Sequence, residues 1–345
     1  MRTFVFGAGA SVHAGYPLAP DLWRAIERWV LATCSEGHNF RSAVDTMNAE
    51  FDVSKSFELV LTDLDNRIQR LLNARPTTTE AKFEKFKFVY LPDILKSIIR
   101  FYFDSLRSEP AELYRVFADD VLAEGDAVIT FNYDLAIDRE LKRSGKWSIG
   151  NGYGFTIDRA AFGDSPCKLF KLHGSTNWRG ELFQGATGFS QGDLINKSIG
   201  LRPVIDRSEF EYLGYSDAWD PRCHNGQIRI ESVVLPTLNK RFFNETSLGR
   251  EWESFWDSLW FQAGDGLAHS DEVHIIGYSV PEFDARAREL LGAKIGDGAR
   301  VSVCCRRGTS TVIESLRQLT RSRRVDVGAA CSDTFDDWVS CTNLG

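Results

Sequence analysis

Apolar residues fall along this chain in two rhythms: short runs that stop at glycine or a polar turn, and longer stretches with helical spacing. Thr3-Phe4-Val5-Phe6 is of the first kind and ends at Gly7. A run so short and so apolar predicts a strand buried on both faces. Similar runs recur at Ala127–Phe131, Lys168–Leu172, Ser232–Leu235, Val273–Ile276 and Arg300–Cys304. Helical spacing fills the intervals at Leu135–Lys142, Glu251–Ala268, Glu282–Leu291 and Thr311–Leu319. In the second of these, Trp252, Trp256 and Trp260 stand four residues apart, which predicts an aromatic stripe packed on a sheet. Strands and helices alternating this way predict an α/β fold: a Rossmann-like, doubly wound sheet of mostly parallel strands.

Between the first two strands the rhythm breaks. Helical patterns run through Pro20–Cys34 (Trp23, Ile26, Trp29 and Val30 in phase), Phe57–Leu72 and Glu80–Leu106. Residues from about 37 to 111 therefore read as a helical insertion or lid. Gly180–Ser232, rich in Gly, Asp and Arg without clear period, reads as a loop-rich excursion. The rest of 1–345 reads as one domain.

Composition narrows the function. Of 345 residues, 43% are hydrophobic and 26% charged, an ordinary globular balance. Acidic residues outnumber basic ones 48 to 41, leaving a net charge of −7, which argues against a broad nucleic-acid-binding face. Seven cysteines with no CxxC pair argue against both a disulfide framework and a structural zinc site, so no metal is expected. No apolar run reaches the roughly 18 residues of a membrane span. The opening residues read as a strand entering a loop rather than as a leader. The expectation is a cytoplasmic protein with no membrane partner.

In doubly wound sheets ligands bind beyond the carboxyl ends of the strands. Four motifs here follow predicted strands. Gly7-Ala8-Gly9-Ala10-Ser11 comes after the first, with Gly15 and Pro17 behind it. Glycines there let the backbone approach a pyrophosphate, whose oxygens take N–H hydrogen bonds. Val12 stands where a dinucleotide fingerprint has its third glycine, which counts against an ordinary hydride-transfer enzyme; the glycines alone also suit a plain tight turn. Thr130-Phe131-Asn132-Tyr133-Asp134 follows the second strand: Asn132 can hold a turn by bonding its own backbone, or its amide can grip a ribose hydroxyl or a water, with Asp134 orienting its neighbours. Leu172-His173-Gly174-Ser175 puts an imidazole at a strand end, either a hydrogen-bonded core residue or a general base or ribose partner. Gly277-Tyr278-Ser279-Val280-Pro281 has Gly-x-Ser, but Pro281 stands where a nucleophile elbow needs glycine, so Ser279 suits a phosphate or ribose contact better than a hydrolase triad.

Taken in order, these four motifs resemble those of the sirtuin (SIR2-like) family. Gly7 to Pro17 resembles its GAG-x-S-x-x-x-G-x-P signature, the Asn132 segment its T-x-N-x-D, and His173-Gly174 its catalytic HG. The likeness spans nearly the whole chain. It departs from the protein-deacylating members, which carry a four-cysteine zinc module where this chain has only Cys223. The family's adenosine-contacting Asn is missing near Cys304-Cys305-Arg306. Leu235-Pro236-Thr237-Leu238-Asn239-Lys240 and Ile275 to Pro281 look instead like SIR2-like proteins of bacterial anti-phage defence.

The resemblance implies an NAD⁺ glycohydrolase that consumes NAD⁺ as substrate, without a metal, as the effector of an abortive-infection system. Asn132, His173 and Asp134 would be catalytic; Gly7, Ala8, Gly9, Ser11, Gly277, Tyr278 and Ser279 would hold the dinucleotide. It also implies a homo-oligomer, or a second defence protein that gates activity. A nucleotide sensor that does not cleave, and a protein deacylase, are the alternatives.

Overall fold

The computed structural model describes residues 1–106, 110–155, 163–182, 201–205, 223–224, 227–233, 235, 249–306, 308–330 and 333–342. The chain divides into two compact units: Met1–Tyr16, Arg107–Ser175 and Glu253–Gly345 make one, Pro17–Leu106 and Thr176–Trp252 the other.

The first unit is built on six strands: β1 (Arg2–Phe6), β2 (Ala127–Thr130), β3 (Lys168–Lys171), β8 (Glu272–Ile276), β9 (Arg300–Cys304) and β10 (Asp326–Ala329), where β4 to β7 belong to the second sheet described below. They lie in the order β10-β9-β8-β1-β2-β3, and every pairing is parallel. Ranked along the chain, that is the 3-2-1-4-5-6 order of the doubly wound dinucleotide-binding sheet. The order reverses between β1 and β8, so a ligand crevice is expected beyond their carboxyl ends. Register sets those ends level: Phe6 pairs with both Thr130 and Ile276, Thr130 with Lys171, and Ile276 with Cys304. Whatever follows these five residues shares one rim.

Side chains alternate along β1, and each face has its own cover. Phe4 and Phe6 meet Phe117 edge-on at 4.9 and 5.1 Å, in the π-helical turn Phe117–Val121 that follows α5 (Glu112–Val116). Phe6 also meets Tyr114, and Phe335 of the C-terminal helix (Phe335–Thr342), at 5.5 and 5.6 Å. On the other face Thr3 shares a hydrogen bond of 2.7 Å with Ser270, just past the long helix Gly249–Ala268. Trp256, Trp260, Ala263 and Leu267 of that helix are buried. The side chain of Trp252, expected in the same stripe, lies outside the described residues. The edge strand β10 has no counterpart in the sequence reading, because Asp326-Val327-Gly328-Ala329 carries almost no apolar run.

Among the described residues, the second unit holds the helices α1 (Ala19–Thr33), α2 (Asn39–Glu50), α3 (Phe57–Asn73) and α4 (Thr79–Ser105). Side-chain caps start three of them: His38 accepts from the Phe40 N–H, Ser56 from Leu59 and Thr78 from Ala81. Leu22, Trp23, Ile26 and Val30 form the buried stripe of α1, and Trp23 stacks on Phe57 at 5.3 Å. Helix α2 was not expected, since its pattern is short and half polar.

This unit also contains strands β4 (Gly174–Leu182), β5 (Leu201–Ile205), β6 (Cys223–His224) and β7 (Gln227–Val233), in the order β5-β4-β7-β6. One expectation is corrected here: of the run at Ser232–Leu235, Ser232 and Val233 end β7 and belong to no strand of the parallel sheet. β7 pairs antiparallel with β6. The signal was in the residues just upstream: Gln227-Ile228-Arg229-Ile230-Glu231 alternates polar and apolar, the pattern of an antiparallel strand.

Candidate functional site

Asn132 and His173 each stand two residues beyond the paired strand ends Thr130 and Lys171. Neighbouring strands run under 5 Å apart, and the rings on either side of Asn132 confirm the approach. Phe131 lies 4.9 Å and Tyr133 6.5 Å, centroid to centroid, from the His173 imidazole. Asn132 is 8% exposed and His173 7%, so both sit in a water-poor rim rather than on an open surface.

The Asn132 amide is locked. Its Nδ2 donates to the Gly7 carbonyl oxygen at 2.9 Å and to Ser11 Oγ at 3.0 Å, which uses both of its hydrogens. The Asn132 N–H donates to Thr130 Oγ1 at 3.1 Å. With the amide nitrogen tied to the first-strand loop, Oδ1 is the end that can accept from a hydroxyl or a water. Ser11 is 1% exposed, and its hydroxyl shares a 2.9 Å hydrogen bond with Tyr114, so it braces Asn132 from inside. Burial pushes the Tyr114 phenol well above its usual range, keeping it a neutral partner.

Asp134 is buried under the same network. Its Oδ1 accepts from the Ala136 N–H at 3.0 Å, opening the helix Ala136–Arg143. Loss of solvation raises its pKa, and the nearby Lys171 charge opposes that rise. Lys171, the last residue of β3, donates to the Asp134 carbonyl oxygen and pairs with Asp138 at 2.9 Å, both side chains fully buried. Tyr153 donates its hydroxyl to the other Asp138 oxygen. The β2 and β3 ends are thereby bolted together directly behind Asn132 and His173.

The glycines also let two loops approach each other closely. A Cβ on Gly7 would come 2.6 Å from the Tyr278 Cα, and one on Gly277 would come 2.2 Å from the Ala10 nitrogen. Gly277 also has φ of +64°, in the left-handed region. The two loops pass backbone against backbone: the Gly7 N–H donates to the Ile276 carbonyl, Gly9 to Gly277 and Ala10 to Gly7. Among the described residues, the Ala8 N–H is the donor of this loop with no backbone acceptor.

Across the crevice, Tyr278 turns inward. Its ring stacks on Phe131 at 4.3 Å and 22°, and its hydroxyl donates to Asp284 Oδ2 at 2.9 Å. Ser279, the next residue, is exposed. Val280 follows with φ of 49°, the one non-glycine residue at positive φ among the described residues. A β-branched residue held there is strained, so the loop shape is fixed by its surroundings. Arg288 donates to the Val280 carbonyl at 3.1 Å and helps hold it.

The ten residues expected to be catalytic or dinucleotide-binding thus lie at strand ends on the same rim of the first unit. Asn132, Ser11, Tyr114 and the Gly7 carbonyl form one hydrogen-bonded cluster; His173 and Tyr278 belong to a second, through Asp284. Sequence reasoning missed Asp284, Tyr114 and Lys171. Asp284 follows Glu282 in an ordinary helix-start pattern, and nothing local marks it.

No protein-family model matches this chain, and no curated protein matches it. Among solved structures there is similarity to a sirtuin described under "The Structural basis of Sirtuin Substrate Affinity": 16% identity, 93% of each chain covered, TM-score 0.37. The chemistry is accordingly read from the side chains of this protein.

Proposed function

We propose that this protein is an NAD⁺ glycohydrolase, releasing nicotinamide and ADP-ribose. The observation that carries this reading is the pairing of a locked asparagine and a buried histidine on adjacent strand ends, beside the switch point of a 3-2-1-4-5-6 sheet. That is where such sheets take dinucleotides.

The nicotinamide ring is already cationic in NAD⁺ and departs neutral as its bond to C1′ breaks, so no acid is needed to protonate it. What the reaction needs is a rigidly held sugar, support for an oxocarbenium-like transition state, and a placed water. Asn132 Oδ1 would accept from the ribose or from the attacking water. His173 would bond the ribose hydroxyls, or take the proton that the water releases as its oxygen joins C1′. The Ala8 N–H and the Ser279 hydroxyl are the donors suited to the pyrophosphate and ribose. Ser11, Asp134 and Tyr278 would act behind them, as braces.

The test is a nicotinamide-release assay on purified protein, with NAD⁺ binding followed in parallel by calorimetry. Asn132→Ala should cut turnover at least about a hundredfold, the order that a misplaced reacting group costs. Wild-type turnover in Asn132→Ala would overturn the assignment, and binding without release would make the protein a sensor. The sequence likeness to anti-phage proteins extends the proposal to infection-triggered NAD⁺ depletion, with activity gated by oligomerisation or by a partner. Equal NAD⁺ pools after phage challenge in cells carrying wild type and His173→Ala would undercut that extension.

A further inference from the structure

We propose that Asp284 is a positioning residue that sets the orientation of His173 and its tautomer, with the hydrogen on Nε2. This rests on the hydrolase reading for its consequence, but not for its geometry. His173 Nε2 lies 3.2 Å from Asp284 Oδ2, and the Tyr278 hydroxyl donates to the same oxygen at 2.9 Å. One carboxylate oxygen thus accepts from a loop tyrosine and stands within ion-pair distance of a strand-end histidine. Asp284 is 1% exposed, and a carboxylate so deep in the protein is sustained only by such partners.

The consequence for the ring follows from its chemistry. A neutral imidazole has one N–H and one lone pair, and the partner of the N–H decides which nitrogen carries which. With the hydrogen on Nε2 held by Asp284, the lone pair is on Nδ1. Phe131 keeps the three groups in register, 4.9 Å from the His173 ring and stacked on Tyr278 at 4.3 Å. The approach of Asp284 is set by its own loop: its N–H donates to the Pro281 carbonyl at 3.0 Å, just after the strained Val280. A carboxylate held against a histidine in this way tunes its orientation and basicity, as outer-shell carboxylates do for histidines bound to metals.

Asp284→Asn keeps the shape and removes the charge. The expected result is a kcat lowered roughly 10–100-fold, the range seen for outer-shell partners, with KM within about twofold and an unchanged melting temperature. Tyr278→Phe, which leaves Asp284 and His173 in place, should lower kcat less. Nitrogen NMR on histidine-labelled protein supplies a readout independent of turnover: His173 should be protonated at Nε2 in wild type and lose that single tautomer in Asp284→Asn. Full kcat in Asp284→Asn, or an Nδ1-protonated ring in wild type, would overturn the proposal. If the wild type releases no nicotinamide, the hydrolase reading fails while the tautomer measurement still decides the role of Asp284.

Discussion

Lys171→Met is the most demanding test of how the rim is held. The methionine fills most of the lysine's volume, so the change chiefly removes a charge and its hydrogen bonds. In the wild type the ammonium sits with Asp138 at 2.9 Å, both fully buried, and donates to the Asp134 carbonyl. Without it, Asp138 remains as an uncompensated carboxylate whose other oxygen already takes the Tyr153 hydroxyl. Breaking a buried pair by removing one partner costs about 3–5 kcal/mol. At roughly 2–4 °C per kcal/mol for folding units of this size, the melting temperature should fall on the order of 10 °C. Removing the stranded carboxylate as well should reverse much of that loss, because an apolar replacement of a whole buried pair is often neutral. Lys171→Met/Asp138→Leu/Tyr153→Phe should therefore recover at least about half of it. The assay is thermal and urea unfolding followed by circular dichroism. A single variant melting within about 2 °C of wild type would refute the reasoning, since it would mean that the pair is not desolvated. So would a triple variant no better than the single one.

Two further outcomes follow from the same rim. Gly277→Ala should destabilise the protein by about 2–4 kcal/mol, since it combines a left-handed backbone with overpacking against Ala10; a denaturation midpoint equal to wild type would mean the two loops do not meet there. Asp134 has its pKa raised by burial, so the folded state holds a proton that the unfolded state has already released. Its contribution to stability is therefore greatest in acid and is lost as pH rises through the window above about 4. Relative to Asp134→Asn, which has nothing to ionise, wild type should lose ground as pH rises. Parallel stability curves for the two proteins would contradict this.

Read as a one-dimensional pattern, the chain already specified its fold class. Apolar runs of four or five residues can be satisfied only by strands buried on both faces, and the helical intervals between them supply the cover. The same pattern located the polar groups at strand ends, because a strand stops where the apolar run stops. Asn132, His173 and Gly277 were accessible to reasoning for that reason. The end of β7 reads equally well as a strand of the parallel sheet, because the apolar run from Val233 to Leu235 suits either setting. Its neighbours in space, β4 and the antiparallel β6, distinguish the two.

What the tertiary structure decided was who touches whom across the crevice. Strand order is a pairing choice among distant segments, and no local signal states that β1 lies between β2 and β8. Once that order exists, Gly7 meets Tyr278 across some 270 residues of chain, and their glycine-rich loops pack backbone against backbone. The Ser11 hydroxyl is turned into a brace, and an unremarked aspartate, Asp284, becomes the partner of His173. Hydrogen bonds and buried charges are properties of spatial neighbours, so residue type announces the capacity for them and folding selects which are made.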